Sequence, residues 1–282
     1  MTRLLALLGD PVEHSLSPVF QNAALEAEGV DARYLALRCS GEDLPGLLRG
    51  IARAGGAGNV TVPHKAAAAA IVEAPSAAVR LTGACNTFWH EGGVIHGDNT
   101  DVAGAHDALR HHFGSRFEGG RAVVLGAGGA SRAVILALDT LGVRGIEVRN
   151  RTVARARALV KALAPGVSLT ELHAFQGPMD ASLEPSVSLV VNATTLGLGP
   201  DDPSPYPVEE LPDTVALHDL VYRPGETRWV REARARGIEA FDGREMLLRQ
   251  GMAAFERWCG RPAPEEVMRQ ALRRAAAGEY EG

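Results

Sequence analysis

The sequence predicts an α/β protein with two domains and mainly parallel sheets. The chain has 282 residues, enough for one large or two modest domains, and 46% of them are hydrophobic. Short apolar runs that suit strands alternate with helical patterns, as in βαβ units. A glycine-rich turn lies between one such run and the helix after it, at residues 126–129.

The first part of the chain contains three strand–helix alternations and a hairpin. Strands are predicted at 4–8, 32–37 and 58–62. Helices are predicted at about 18–28, 42–55 and 65–74. Residues 84–99 suit a hairpin around Gly92-Gly93, and a helix follows at 102–113. A domain boundary is expected near residue 104.

The second part repeats the alternation. Strands are predicted at the start of 121–142, at 145–150, at 188–194 and at 214–221. Helices are predicted in the rest of 121–142 and at 154–164, 227–237, 246–260 and 264–278. This order favours a second parallel sheet.

Composition excludes several classes of protein. The formal net charge is −5, which argues against a general nucleic-acid binder. No stretch of eighteen apolar residues is present, so no membrane span is expected. The three cysteines, Cys39, Cys85 and Cys259, are scattered and predict neither a disulfide framework nor a metal site. We therefore expect a cytoplasmic protein.

Residues 123–133, VVLGAGGASRA, form the strongest local motif. An apolar strand runs directly into the turn at 126–129, and an apolar helix follows. Such a turn lets backbone amides at a helix N-terminus approach a pyrophosphate. Ser131 takes a position where Gly or Ala is usual, and serine is small enough to keep the helix close to the sheet. The motif predicts a Rossmann-type, dinucleotide-binding domain; an ordinary glycine-rich turn is the alternative.

The end of the next strand selects between NAD and NADP. An NAD site usually has Asp or Glu there, which binds the ribose 2′-hydroxyl. The residues at this position are instead polar or basic: Asn150, Arg151, Thr152 and Arg155. Glu147 lies too early in the strand. Because a guanidinium group matches the geometry of a phosphate, the pattern favours NADP; a solvated basic helix start is the alternative.

Ser15 and Ser17 precede a helix that is expected to begin near Pro18. Ser17 is a good N-cap and Pro18 a good first helical residue, so capping alone accounts for Ser17. It does not account for Ser15, two residues earlier. Two hydroxyl groups and the amides of a helix start form a small anion-binding cradle. We expect this segment to bind the carboxylate of a small substrate.

Lys65 and Asp101 each follow a predicted strand. Lys65 begins an alanine-rich helix after the strand at 58–62, and Asp101 lies with Asn99 and Thr100 where the hairpin meets the next helix. Ligands of α/β sheets bind beyond the strand ends, and a lysine–aspartate pair can relay the proton that hydride transfer to a carbonyl requires. Capping is the alternative for Asp101. Lys65 either transfers the proton or mainly polarises the oxygen, since a neighbouring carboxylate stabilises charged lysine.

Nine segments, in order, resemble the shikimate dehydrogenase family. They are GDPVEHSLSP, GNVTVPHK, GACNT, GDNTDVAG, LGAGGASRA, NRTVARA, NATTLG, DLVYRPGET and GREMLLRQGMAAFERW, and they extend from about residue 8 to residue 258. Each motif alone is moderately specific, whereas nine in sequence are highly specific. The resemblance implies reversible, NADPH-dependent reduction of 3-dehydroshikimate to shikimate, in aromatic amino-acid biosynthesis.

The resemblance also implies how the chain is divided. An N-terminal α/β substrate domain, residues 1–104, would be completed by C-terminal helices that return to it at 244–282. Residues 105–243 would form a Rossmann-type, doubly wound NADP domain. The expected partner is a small-molecule substrate, and a monomer and a homodimer remain open.

Individual residues receive roles from the resemblance. Lys65 would be the general acid–base residue and Asp101 its partner, while Ser15 and Ser17 would bind the substrate carboxylate. A further set would contact the other groups of the substrate: Asn59, Thr61, Asn86, Tyr222 and Gln250. The residues implied in binding NADP are Gly126, Ala127, Gly128, Gly129, Ala130, Asn150, Arg151, Thr152, Arg155, Leu220 and Gly243.

The chain departs from the family pattern at a few positions. Gln21 stands where His is frequent, Cys85 where Val is common and Leu198 where Met is frequent. None of them is proposed for chemistry. Two alternatives remain: a quinate/shikimate dehydrogenase that prefers NAD, which Arg151 disfavours, and a non-catalytic ligand sensor, which would be expected to lack the lysine or the aspartate.

Overall fold

The computed structural model describes residues 2–199, 201–223 and 225–278. Contacts within the chain divide it into two units: residues up to Gly104 together with those from Leu247 onwards form the first, and Ala105–Met246 forms the second. Each unit contains one six-stranded sheet. The assignment of substrate to the first unit and dinucleotide to the second stays a prediction.

Strands and helices alternate along the chain, as the sequence predicts. The strands are β1 (Arg3–Gly9), β2 (Ala32–Arg38), β3 (Ala57–Val60), β4 (Ala74–Pro75), β5 (Thr87–Glu91), β6 (Val94–Asp98), β7 (Arg121–Leu125), β8 (Gly145–Arg149), β9 (Glu171–Ala174), β10 (Val187–Asn192), β11 (Ala216–Asp219) and β12 (Glu239–Phe241). The α-helices are α1 (Ser17–Ala27), α2 (Leu44–Arg53), α3 (Lys65–Ile71), α4 (Ala77–Thr82), α5 (Thr100–Phe113), α6 (Gly129–Thr140), α7 (Val153–Leu163), α8 (Arg228–Ala235), α9 (Arg244–Cys259) and α10 (Glu265–Ala276).

The sheet of the first unit has the strand order β2-β1-β3-β5-β6-β4. Strands β1, β2 and β3 are parallel, whereas β5 runs antiparallel to both β3 and β6. Because β5 runs in the opposite direction, its first residue lies at the same edge of the sheet as the last residues of β1, β3 and β6. The segments at this edge contain most of the residues predicted to bind substrate: Ser15, Ser17, Asn59, Thr61, Lys65, Asn86 and Asp101.

The sheet of the second unit is parallel throughout, with the order β12-β11-β10-β7-β8-β9. Read outward from β7, the strands follow chain order in both directions, through β8 and β9 on one side and β10 to β12 on the other. This is the doubly wound Rossmann arrangement, in which ligands bind where the strand order reverses. The glycine-rich turn follows β7, at that point. The predicted fold class is confirmed.

The C-terminal helices complete the core of the first unit. Successive side chains of a strand point to opposite faces. Leu5 and Leu7 of β1 therefore pack with Phe20 of α1 and with residues of α9 and α10, including Phe255 and Met268. Ala6 and Leu8 of β1 pack on the opposite face, in a cluster that includes residues of α2, β3 and β6. The expected return of the C-terminal helices to the first domain is confirmed.

Three local predictions were wrong. Strand β3 ends at Val60 instead of residue 62, because the turn towards Pro63, which has no amide to donate, begins at Thr61. Helix α3 ends at Ile71 instead of residue 74, since Val72 is extended and the short strand β4 follows. Ser17 is the first residue of α1 and not its N-cap, a position that Leu16 takes without a side-chain hydrogen bond.

The sequence analysis also missed short elements. Strands β4, β9 and β12 and helix α4 are six residues long or less, too short for a clear hydrophobic period. Among the described residues, no helix combines the length and the apolar character needed to cross a membrane.

Candidate active site

Lys65 and Asp101 form an ion pair at the edge of the first sheet. Lys65 is the first residue of α3 and Asp101 the second residue of α5, and Lys65 Nζ donates to Asp101 Oδ2 at 2.6 Å. The lysine side chain is 23% exposed and the aspartate side chain 9%. The ammonium is therefore held by the aspartate, while part of the lysine side chain is exposed.

The neighbours of Lys65 fix its backbone. Its carbonyl oxygen accepts a hydrogen bond from the amide of Cys85 at 2.8 Å. The preceding residue, His64, is buried, and its Nε2 lies 2.8 Å from the carbonyl oxygen of Cys39. The start of α3 is thus attached to the segments that follow β2 and precede β5.

Asp101 does not cap helix α5. The first amides of the helix have other acceptors: Asn86 Oδ1 accepts from the amide of Thr100 at 2.8 Å, and Asn99 Oδ1 accepts from the amide of Asp101 at 3.2 Å. The carboxylate of Asp101 faces Lys65 and Asn86 instead. The capping alternative is therefore wrong for Asp101.

Asn86 contacts three of the other predicted substrate residues in the first unit, Asp101, Gln250 and Asn59. Its Nδ2 donates to Asp101 Oδ1 at 2.9 Å and lies 3.5 Å from Gln250 Oε1, which α9 supplies. Its carbonyl oxygen accepts from Asn59 Nδ2 at 3.0 Å. Asn86 is 2% exposed, so a buried amide orients Asp101 and Gln250. This contact with Asp101 was not foreseen from the sequence.

Asn59 and Thr61 belong to the same edge. Asn59 Oδ1 accepts a hydrogen bond from the hydroxyl of the fully buried Tyr34 at 2.8 Å, which fixes the orientation of the amide. Thr61 is half-buried directly after β3, and its amide donates to the carbonyl of Leu8 in β1. No sequence motif predicted a role for Tyr34 at this site, because a tyrosine in an apolar strand is expected to be a core residue.

Ser15 and Ser17 lie together at the start of α1. Ser15 Oγ accepts from the amide of Ser17 at 3.2 Å, which leaves the Ser15 hydroxyl proton to be donated elsewhere. Ser17 is buried and Ser15 is half-buried. The arrangement fits an anion-binding helix start.

The glycine-rich turn of the second unit fits a dinucleotide. Gly126 has φ +108°, and a Cβ there would lie 2.9 Å from the carbonyl oxygen of Ala193. Gly128 and Gly129 are exposed at the start of α6, and a Cβ at either would meet nothing within 4 Å. Ala127 and Ala130 flank them and are half-buried. Exposed backbone that borders open space at a helix N-terminus suits a pyrophosphate.

The residues after β8 fit a phosphate on the ribose. Arg151, Thr152 and Arg155 are exposed around the start of α7, and Asn150 Nδ2 donates to the carbonyl of Thr152 at 2.9 Å. The carboxylate of Glu147 is already engaged, because Arg149 Nε donates to it at 2.5 Å. Exposed Arg151 lies near the strand end, where an NAD site would have an acid, and exposed Arg155 lies one turn further on.

Arg149 itself is a structural residue that the sequence did not distinguish from its exposed neighbours. Its side chain is 3% exposed, and its guanidinium lies 4.3 Å from the centre of the Phe175 ring. It also donates to main-chain carbonyls of Met179, Ala181 and Ser182. Arg149 thus holds the segment between β9 and β10.

Buried Asp219 anchors the segment that carries Leu220 and Tyr222. Its carboxylate accepts from Asn192 Nδ2 and Thr227 Oγ1, each at 2.8 Å, and from the amide of Val221 at 3.0 Å. Burial raises the pKa of Asp219 to about 6. This network was not predicted from the sequence, although Asn192 and Asp219 each begin a motif, NATTLG and DLVY.

The remaining predicted residues lie in the same unit as Asp219. Gly243 packs its backbone against the carbonyl of Leu220, where a Cβ would not fit. Tyr222 is half-buried after β11. Among the described residues, no group of three or more His, Cys, Asp and Glu side chains is placed to hold a metal ion.

Family models of known proteins match three parts of the chain. The family model of the shikimate dehydrogenase substrate binding domain matches residues 7–88, that of shikimate/quinate 5-dehydrogenase matches 108–182, and that of the shikimate 5′-dehydrogenase C-terminal domain matches 243–273. A protein of Natronomonas pharaonis named shikimate dehydrogenase (NADP(+)) is 44% identical over 270 residues, which cover 95% of this chain and 97% of that protein.

Solved structures show the same similarity. Shikimate 5-dehydrogenase from Thermus thermophilus, in complex with NADP(H) and shikimate, has 40% sequence identity and a TM-score of 0.86, over 97% of this chain and all of that one. Quinate dehydrogenase from Corynebacterium glutamicum, in complex with NAD, has 30% identity and a TM-score of 0.86, over 96% of this chain and 99% of that one. The chain therefore belongs to the shikimate dehydrogenase family.

Proposed function

We propose that this protein catalyses the reversible, NADP(H)-dependent interconversion of 3-dehydroshikimate and shikimate in aromatic amino-acid biosynthesis. The observation that carries the proposal is the Lys65–Asp101 pair, with 2.6 Å between nitrogen and oxygen, at a sheet edge where Asn86 and Gln250 also converge. The close relatives named NADP-dependent shikimate dehydrogenases support it.

The substrate is bound through its carboxylate and its hydroxyl groups. Ser15 and Ser17 bind the carboxylate, because the start of α1 provides hydroxyl donors and the positive end of a helix dipole. Around the ring, Asn59, Thr61, Asn86, Gln250 and Tyr222 supply hydrogen bonds to the hydroxyl and carbonyl oxygens. Shikimate presents several such oxygens on one ring, which suits a site lined by amides and hydroxyls.

Lys65 handles the proton at the reacting oxygen. In the reducing direction its ammonium donates a hydrogen bond to the ketone oxygen, stabilises the negative charge that develops there and delivers the proton to form the alcohol. In the oxidising direction the neutral amine of Lys65 accepts that proton. Asp101 keeps the ammonium at the oxygen, and Asn86 fixes the other oxygen of the Asp101 carboxylate.

NADPH supplies the hydride when it is bound. Gly126, Ala127, Gly128, Gly129 and Ala130 form the turn that holds its pyrophosphate. The residues proposed to hold the 2′-phosphate and its ribose are Asn150, Arg151, Thr152 and Arg155. Leu220 and Gly243 line the nicotinamide end.

The direct test follows the absorbance of reduced nicotinamide after the protein is mixed with shikimate and NADP⁺. We expect turnover by the wild type, and loss of about 100-fold or more of kcat in Lys65→Ala, the contribution typical of acid–base catalysis. Lys161→Ala is the matched control, because Lys161 is the only other lysine of the chain and lies in α7. Turnover of Lys65→Ala within about threefold of wild type would sink the assignment.

The same assay separates the proposal from its rivals. Quinate in place of shikimate, and NAD⁺ in place of NADP⁺, test for a quinate dehydrogenase such as the similar C. glutamicum protein. We expect a preference for shikimate over quinate and for NADP⁺ over NAD⁺. Arg151→Ala should weaken the preference for NADP⁺ by about tenfold or more, the loss expected for one hydrogen bond to a charged group. A protein that binds shikimate without any absorbance change would be a sensor.

We also propose a cytoplasmic location. All three cysteines are free thiols, which suits a reducing compartment. Fractionation of cells that produce the protein, with antibody detection, tests this directly.

A further inference from the structure

Gln21 is a buried amide in α1 whose hydrogen bonding is only half complete. Its Nε2 donates to the main-chain carbonyl of Gly251 in α9 at 2.8 Å. Its Oε1 has no hydrogen-bond partner among the described residues, although the residue is only 1% exposed. An unpaired buried acceptor is unfavourable, so stability alone would favour an apolar side chain here.

The contact lies directly beside Gln250. Helix α9 packs closely on α1 at Gly251, where a Cβ would overlap the ring of Phe20. Gln250 is the adjacent residue, and its side chain lies between the Leu247 carbonyl, to which Nε2 donates at 2.8 Å, and Asn86, 3.5 Å from Oε1. The bond from Gln21 therefore fixes the position of α9 along α1 at the turn that presents Gln250.

We propose that Gln21 is a positioning residue for substrate recognition, which acts by holding the Gly251 carbonyl so that the Gln250 amide faces Asn86 and the substrate. The inference rests on the proposed function, because it takes Gln250 to be a substrate ligand. This role accounts for a buried amide with an unpaired oxygen at a position where packing alone would favour an apolar side chain.

The test compares two substitutions of Gln21. Gln21→Met keeps the length of the side chain but removes both the donor and the unpaired acceptor. We expect Tm to be unchanged or higher, and KM for shikimate to rise about fivefold to tenfold, the loss expected when one hydrogen bond to the substrate is misaligned. KM for NADP⁺ should stay within about twofold. Gln21→His, which keeps an N–H donor, should have a KM for shikimate close to that of wild type.

A matched control uses the same helix. Arg3 Nη1 also donates to a main-chain carbonyl of α9, that of Trp258, at 2.7 Å, but about two turns beyond Gln250. We expect Arg3→Met to lower Tm and to leave KM for shikimate within about twofold. A rise in KM as large as that of Gln21→Met would show that any loosening of α9 has this effect, and would overturn the specific role of Gln21.

The outcomes that overturn the proposal are distinct from failure of the proposed function. It is overturned if Gln21→Met leaves KM for shikimate unchanged, if the variant is less stable or does not fold, or if Gln21→His fails to restore KM. If the wild type does not turn over shikimate, the proposed function fails, and the role of Gln21 is then tested by a crystal structure of Gln21→Met. An unchanged separation of 3.5 Å between Gln250 Oε1 and Asn86 Nδ2 overturns the proposal, whereas a longer separation supports it.

Discussion

At the scale of single residues, the choice of lysine at position 65 is informative. The chain has 29 basic residues, and all but Lys65 and Lys161 are arginine. Arginine pairs well with carboxylates but does not lose its proton in proteins, whereas lysine can. A chain that uses arginine almost everywhere else has kept lysine at the one position where the proposed reaction transfers a proton.

Lys65→Arg tests whether Lys65 transfers the proton or only polarises the oxygen. The arginine keeps the positive charge and the pairing with Asp101 but cannot give up a proton. We expect kcat to fall by about 100-fold or more, with little change in KM for shikimate. Activity close to that of wild type would mean that charge alone suffices. The kcat values measured across pH serve as the readout.

The sequence predicts some residue contacts and not others. The meeting of Lys65 with Asp101 follows from strand ends and motif order, since both residues come after strands that end at one edge. The orientation of Asn86, the burial of Arg149 and the hydrogen bond from Gln21 to Gly251 depend on side-chain packing between segments far apart in the chain. Arg149 and Arg151 look alike in the sequence, yet one is buried and the other exposed.

At the scale of elements, the turn between β7 and α6 contains two glycines that are required for different reasons. Gly126 has positive φ and lies close to Ala193, so it is needed for the fold. Gly128 has room for a Cβ, so the fold does not require it. The space around Gly128 is the space that the dinucleotide is proposed to occupy.

Alanine substitutions at these two glycines should therefore have different effects. Gly126→Ala should lower Tm by about 2–8 °C, from a backbone strain of about 1–2 kcal/mol. Gly128→Ala should leave Tm unchanged and raise KM for NADP⁺ about tenfold or more, a loss of about 1.4 kcal/mol of binding. Thermal unfolding and initial rates measure both. An unchanged KM in Gly128→Ala would argue against the pyrophosphate site.

Element prediction succeeded where hydrophobic periods are long and failed where they are short. Helix α6 and strand β7 have clear patterns bounded by glycine, and the structure has both. Strands β9 and β12 are exposed in part, have four and three residues, and complete the edges of the sheet. Their formation depends on the neighbouring strand more than on their own residues.

At the scale of the whole molecule, two adjacent buried groups couple stability to pH with opposite signs. His218 is fully buried, and neither ring nitrogen has a partner among the described residues. Burial, with nearby His112, lowers the pKa of His218 from 6.5 to about 3. Between pH 6.5 and about 3 the His218 imidazole is therefore protonated in the unfolded state but not in the folded state. The free energy of unfolding falls as pH decreases from 6.5 towards 3. Burial raises the pKa of Asp219 from 3.8 to about 6. The folded state therefore binds the extra proton, and stability is lost as pH increases from 3.8 to about 6.

His218→Leu should stabilise the protein, and more so in acid. The substitution removes an unpaired buried imidazole at any pH, and at about pH 5 it also removes the cost of about 2 kcal/mol that follows from the lowered pKa. We expect the gain in Tm to be larger at about pH 5 than at about pH 7. His173→Gln, at an exposed position of β9, is the control for removal of an imidazole and should not raise Tm. An equal gain at both pH values would contradict the depressed pKa.

The contribution of α9 and α10 to the first unit affects the order in which the protein can mature during synthesis. The second unit is continuous in the chain, so a nascent polypeptide can assemble it early, whereas the core around β1 and α1 waits for residues beyond Leu247 to leave the ribosome. Gln250 arrives with that last segment. In a newly made chain the unit proposed to bind the dinucleotide can therefore fold before the unit proposed to bind the substrate is complete.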